Sequence, residues 1–266
     1  MNKINPHHTH FEILKKMHDI SFQFIDENFQ KQENLVFAEP YIPYIPDHWN
    51  GLLVLSESQN LASHQNYIDY LSKLNSSEKI QRLYNSKNNL SLGVGPWDDG
   101  SLALAVEAAL DLSYHKTAVS NAVLWSKSGP TNQNPSRGMI DRSIDYYKII
   151  FSILQPTQIL SIGRQAQEIA NKSIDSIKNI TCNILYLQHP SSRNQWRLYQ
   201  QLYTIPNIKN LTTESLIDKN PKIQEILKNY KEIKEAIHKK SYKNTTKNKI
   251  LYSYYAIIKL KINSNQ

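Results

Sequence analysis

Polar and ionisable residues collect in this sequence at four places, each at the close of a short apolar run. Ser56–Asn60 follows Leu52–Leu55, and Asn121–Ser126 closes the run that begins at Thr117. Gly163 and Arg164 follow Gln158–Ile162, and His189–Ser192 follows Asn183–Leu187. Together they supply a carboxylate, carboxamides, an imidazole, a guanidinium and several hydroxyls, the groups that read hydrogen-bonding edges and move protons. Two further acids, Asp98 and Asp99, come directly after Trp97. The chain has seven glycines, no Gly-x-Gly-x-x-Gly and no phosphate-loop lysine motif, so dinucleotide and P-loop chemistry lack support.

The four apolar runs have the length and boundaries of buried strands, and helical patterns separate them. Ile13, Leu14, Met17, Ile20, Phe24 and Ile25 mark an N-terminal helix, followed by a loop holding Pro40, Pro43 and Pro46. Leu102–Leu112 reads as a helix, as does Met139–Leu154, which Pro156 stops. Gly163 turns the third strand into a helix through Ala166 and Ile169. Ile223, Ile226, Leu227, Tyr230, Ile233 and Ile237 mark one late helix, while Ile250–Lys261 fits a strand or a helix equally. Strands alternating with helices predict a three-layer α/β/α fold around a central four-stranded parallel sheet. In such sheets ligands bind beyond the carboxyl ends of the strands, which is where the polar clusters fall.

Composition sets the outer limits. With 266 residues, 40% hydrophobic and 20% charged, the chain suits an ordinary globular protein with one substantial core. No stretch approaches a membrane span, and the start, Met1 to His10, lacks the apolar centre of a secretory signal. Cys182 is the only cysteine, so no internal disulfide forms and a reducing cytoplasm is expected. The net charge is +8 with a pI near 9.3. All of that excess lies beyond Pro221, where eleven lysines face three glutamates. Two readings of this tail stand open, phosphate binding and a solvated helix face. The expected organisation is a domain over 1–220 with an N-terminal helical extension, and a lysine-rich extension over 221–266 packed on it.

Five segments stand in a recognisable order: Leu52–Asn60 (LLVLSESQN), Gly95-Pro96-Trp97, Asn121-Ala122-Val123, Ile159–Ala166 (ILSIGRQA) and His189-Pro190-Ser191. In that order and spacing they resemble the uracil-DNA glycosylase superfamily, most closely the branch that carries an iron–sulfur cluster. That branch reads Gly-Glu-Ala-Pro-Gly, Arg-Pro-Phe, Asn-Val-Val, Gly-Arg-x-Ala and His-Pro-Ser at these places. The resemblance covers about residues 50 to 200. It implies that His189 donates to the base O2 as negative charge develops there. It also implies that Asn121 pairs with the edge of a flipped base and that Trp97 stacks on it. Ser191 and Ser192 match the loop that presses on DNA phosphates, with Arg193 and Arg197 just beyond and Arg164 structural or phosphate-facing. Blander readings stand beside these: a His that caps a strand end, an Asn that forms a turn, a Trp that packs.

The chain departs from the family in three ways. Its single cysteine excludes a cluster held by the usual four, and no cofactor is expected. Ser58 stands where uracil-specific relatives place a water-orienting Asp, so that task passes to Glu57, or to Asp98 or Asp99; Asp99-Gly100-Ser101 also reads as a helix cap. Asn60 replaces the bulky Tyr that excludes C5 substituents, which points toward a modified pyrimidine. The resemblance thus implies a monomeric, cofactor-free DNA glycosylase that flips a uracil-like or C5-modified pyrimidine and leaves an abasic site, in repair or anti-phage defence. The alternative is a DNA- or modified-base-binding protein on the same fold with its catalysis lost.

Overall fold

The structure is a computed structural model and describes residues 10–58, 65–75, 78, 90, 92–128, 134–189 and 221–239. By its contacts the chain forms two compact units, each drawn from two stretches of sequence. One joins Met1–Lys87 to Thr117–Ile184, and the other joins Asn88–Lys116 to Leu185–Gln266.

The class is α/β. Strands β1 (Leu52–Ser58), β2 (Ala118–Val123), β3 (Gln158–Ile162) and β4 (Asn183–Leu187) form one parallel sheet in the order β2-β1-β3-β4. β1 is paired on both sides, with Leu53 opposite Ala118 and Ile159, and Leu55 opposite Ser120 and Ser161. Side chains alternate along a strand, so Leu53, Leu55, Ala118, Ala122 and Ile159 all enter one core. Strand β2 is an edge, and its outer side is partly covered: the main chains of Tyr44 and Val119 exchange two hydrogen bonds, each 2.9 Å.

In the first unit the helices are α1 (His10–Phe22), α2 (Glu27–Glu33), α3 (Gln65–Ser72) and two longer ones over the sheet, α6 (Arg137–Leu154) and α7 (Arg164–Asp175). The second unit contributes α4 (Gly95–Asp98) and α5 (Ser101–Leu110). Ser136 starts α6 by accepting from the Met139 N–H at 3.1 Å. Gln155, left-handed at φ 52°, ends it before Pro156. Between these caps Ile140, Ile144, Tyr147, Phe151 and Leu154 are all buried, at helical spacing. Helix α7 packs on α6 and the sheet through Ala166, Ile169 and Ala170. Arg142 of α6 lies over the Phe29 ring at 4.7 Å, meets Asp26 at 3.3 Å and donates to the Phe24 carbonyl.

In the second unit α5 is buried along most of its length. Against it pack α8 (Pro221–Asn229) and α9 (Lys231–Lys239). The single late helix expected from Ile223–Ile237 is therefore two helices, broken at Tyr230. At the junction, side chains tie Tyr230 to α5. Glu107 on α5 accepts from the Tyr230 hydroxyl at 3.1 Å and from the Tyr114 main-chain N–H at 2.8 Å. Tyr114 donates its own hydroxyl to Glu232, which His115 approaches at 3.3 Å. Gly100, at φ +78°, lets α9 approach α5, because a Cβ there would crowd the Ile233 carbonyl and Ile237.

No helix among the described residues is long and apolar enough to cross a membrane. The network around Glu107 carries the first prediction. Glu107→Ala removes the acceptor of two hydrogen bonds and should cost about 1–3 kcal/mol of stability. Thermal and urea melts measure it, with the exposed Glu225→Ala as a control that stays within about 0.5 kcal/mol of the parent.

Candidate functional site

Because the strands of the first unit are parallel, Glu57, Asn121 and Gly163 lie near or just past the carboxyl ends of β1, β2 and β3. The unit boundary falls within β4.

In the first unit, Asn121 and Ser56 are register partners on β2 and β1. They are 1% and 3% exposed. Alternation puts both side chains on the sheet face opposite the one occupied by Leu53, Leu55 and Ala122. The face they close is otherwise apolar, being Leu52 and Val54 on β1 and Val119 on β2. Sequence reasoning singled out Asn121 and passed over Ser56. The signal that reveals it is register: only the pairing of β1 with β2 makes the two neighbours.

Glu57 points to the other face and meets the start of α7. Gly163, the residue before that helix, has φ +95° and supplies no side-chain cap. The Glu57 carboxylate takes that part, accepting from the main-chain N–H groups of Gln165 and Arg164. Burial pushes its pKa up, and the two amides oppose the rise. A Cβ on Gly163 would overlap the carboxylate itself. The turn after β3 therefore needs glycine twice over, for its dihedral angle and for the acid beside it. The Arg164 side chain is exposed, so this residue serves the acid through its amide.

In the second unit, Trp97 is 0% exposed and packs near Tyr114, with ring centroids 6.5 Å apart. It is a core residue of that unit. Asp98 closes the turn before α4: Oδ1 accepts from the Leu92 N–H at 2.9 Å, and Oδ2 from Gly93 at 2.7 Å and Val94 at 3.0 Å. Asp99 accepts from the Ser101 N–H at 3.0 Å, at the start of α5. Each of these acids thus has a main-chain task.

His189 follows β4 by two residues. The residue is half-buried, and desolvation pushes its pKa down to about 4. The Nδ1 atom is buried and has no hydrogen-bond partner among the described residues. A neutral imidazole with an unspent polar atom is costly to bury, and such groups mark places where a ligand or water completes the bonding. Asn60, Ser191, Ser192, Arg193 and Arg197 lie outside the described residues, as does the side chain of Ser58. Cys182 is half-buried, and burial raises its thiol pKa to about 11, so it is a poor nucleophile. Among the described residues no group of three His, Cys, Asp or Glu side chains is placed to hold a metal ion.

No protein-family model matches this chain, and no curated protein is significantly similar to it.

Gly163→Ala should destabilise by about 2–4 kcal/mol, combining a glycine-only dihedral with a steric overlap. Glu57→Ala, which strips two amides of their acceptor, should cost about 1 kcal/mol. The double variant should cost less than the two together, because removing the acid relieves the overlap, and a thermodynamic cycle of melts tests this.

His189 links stability to pH. Its unfolded pKa is near 6.5 and its folded pKa about 4, so the unfolded chain binds more protons between those values. Its contribution to stability is complete above about pH 6.5 and falls as the pH drops toward 4. Melting temperature against pH in the parent and His189→Asn should show that part of the acid sensitivity flattened in the variant.

Proposed function

We propose that this protein is a DNA glycosylase built on the three-layer fold of the uracil-DNA glycosylase superfamily, acting on a flipped-out uracil-like or C5-modified pyrimidine. The observation that carries the reading is His189, neutral, half-buried and with a buried, unspent Nδ1, just past the end of a parallel strand where the motif resemblance expects the catalytic imidazole. Support also comes from the buried Asn121 near the end of another strand of the same sheet.

In this reading Asn121 pairs with the edge of the flipped base. As the C1′–N1 bond breaks, its electron pair passes to the base, and His189 donates a hydrogen bond to the O2 that takes up the charge. Water adds its hydroxide to C1′ and its proton ends on the departing base, leaving an abasic site. A neutral imidazole suits a donor to a forming anion, since its N–H needs no prior protonation. DNA is the partner, with Ser191, Ser192, Arg193 and Arg197 facing phosphate. Asn60 in place of a bulky ring favours a C5-substituted pyrimidine, which fits a role against modified phage DNA.

A second reading, a binder of DNA or modified bases that does not cleave, is favoured by one specific observation. Glu57, Asp98 and Asp99, the acids proposed to position water, all accept main-chain hydrogen bonds. Incubation with phage DNAs of differing base modification, scored for abasic sites, separates the two. The glycosylase should release base from at least one DNA, and His189→Ala should slow release by about 100-fold or more. Binding without turnover in both forms selects the second reading.

A further inference from the structure

The main chain that carries Asn121 is fixed by a tyrosine from the opposite side of β2. Val119 faces the outer edge of β2, where its N–H and C=O both pair with Tyr44. Main-chain groups alternate direction along a strand, so Asn121, two residues on, presents its carbonyl to the same outer edge. There the fully buried Tyr147 of α6 donates its hydroxyl to the Asn121 carbonyl at 2.7 Å. The same hydroxyl lies 2.7 Å from Ser120 Oγ, which itself reaches the Asn121 carbonyl at 3.3 Å. Tyr147 is held in turn by its helix and its neighbours: its ring lies 5.6 Å from Tyr146 and 5.1 Å from Phe151. Burial holds its hydroxyl protonated, so it acts as a permanent donor.

We infer that Tyr147 is a positioning residue for base recognition, fixing the Asn121 peptide plane and so the direction in which the carboxamide leaves the far face of β2. This rests on the glycosylase reading above. A carboxamide discriminates bases only when its oxygen and nitrogen meet a fixed edge, and small misplacements are expensive. Removing this donor takes away the shorter of the two side-chain bonds that the carbonyl accepts and loosens the hold on its peptide plane. Ser120 alone offers a longer and weaker bond.

The experiment uses the full chain and duplex or single-stranded oligonucleotides that each hold one target: uracil, 5-hydroxymethylcytosine, glucosylated 5-hydroxymethylcytosine or plain cytosine. Base release is measured for the parent, Tyr147→Phe, Ser120→Ala and Asn121→Ala, with a thermal melt of each. The expected result is that Asn121→Ala abolishes discrimination and Tyr147→Phe lowers the kcat/KM ratio of preferred to disfavoured base about 5- to 10-fold, the worth of roughly one hydrogen bond. Ser120→Ala should keep the parent's ratio. A parent ratio in Tyr147→Phe, with Asn121→Ala impaired, overturns the positioning role and leaves the glycosylase reading intact. Equal losses of rate on every base, or loss of the cooperative melt, make Tyr147 a fold residue and overturn it as well. A parent that neither releases nor discriminates any base in binding overturns the glycosylase reading, and the inference with it.

Discussion

Everything else hangs on the two-sided pairing of β1. A strand bonded on both edges has no main-chain groups to spare for water, so it must be buried and apolar for most of its length. Leu52–Leu55 meets that demand, and β2 and β3 are set in register by it. Because the pairings are parallel, every strand delivers its last residues to the same edge of the sheet. The polar residues of β1 can appear only there, after the apolar requirement lapses at Ser56. Placement of Ser56, Glu57 and Asn121 is thus a by-product of how the sheet excludes water.

The same strand divides two duties between its faces. Glu57 turns toward α7 and spends its charge on the helix start, a favourable place for a carboxylate because the N-terminal amides and the helix dipole both favour negative charge. Ser56 turns the other way and joins Asn121. Ser56 and Glu57, adjacent in sequence, are thereby kept on opposite sides of the sheet. Asp98 and Asp99 in the second unit follow a similar rule, holding turns and helix starts through their main-chain bonds.

Much of the fold is legible in the sequence because it is local. The strand over Gln158–Ile162, the helix ended by Pro156 and the turn at Gly163 each depend on a few adjacent residues. The break at Tyr230 is not legible, since helical periodicity runs through it and only its distant partner Glu107 marks it. At Trp97 the sequence leaves two readings open. A tryptophan beside Gly-Pro has the same sequence signature whether it stacks on a ligand or fills a core, and its burial depends on which distant residues surround it. Asn121 is readable as a polar residue in an apolar strand, whereas Ser56 and Tyr147 matter only through register and a contact twenty-six residues away.

The tyrosines along the outer side of β2 have a consequence for assembly. Tyr44 uses both main-chain groups of Val119, Tyr147 takes the Asn121 carbonyl, and the Tyr41 N–H bonds the Leu124 carbonyl just past the strand. An exposed strand edge is a template on which another extended chain can grow, and proteins suffer aggregation where it is left bare. Here the template is already spent. A peptide or a second copy seeking to extend the sheet beside β2 would have to displace those bonds before making its own, so growth by strand addition is closed on that side.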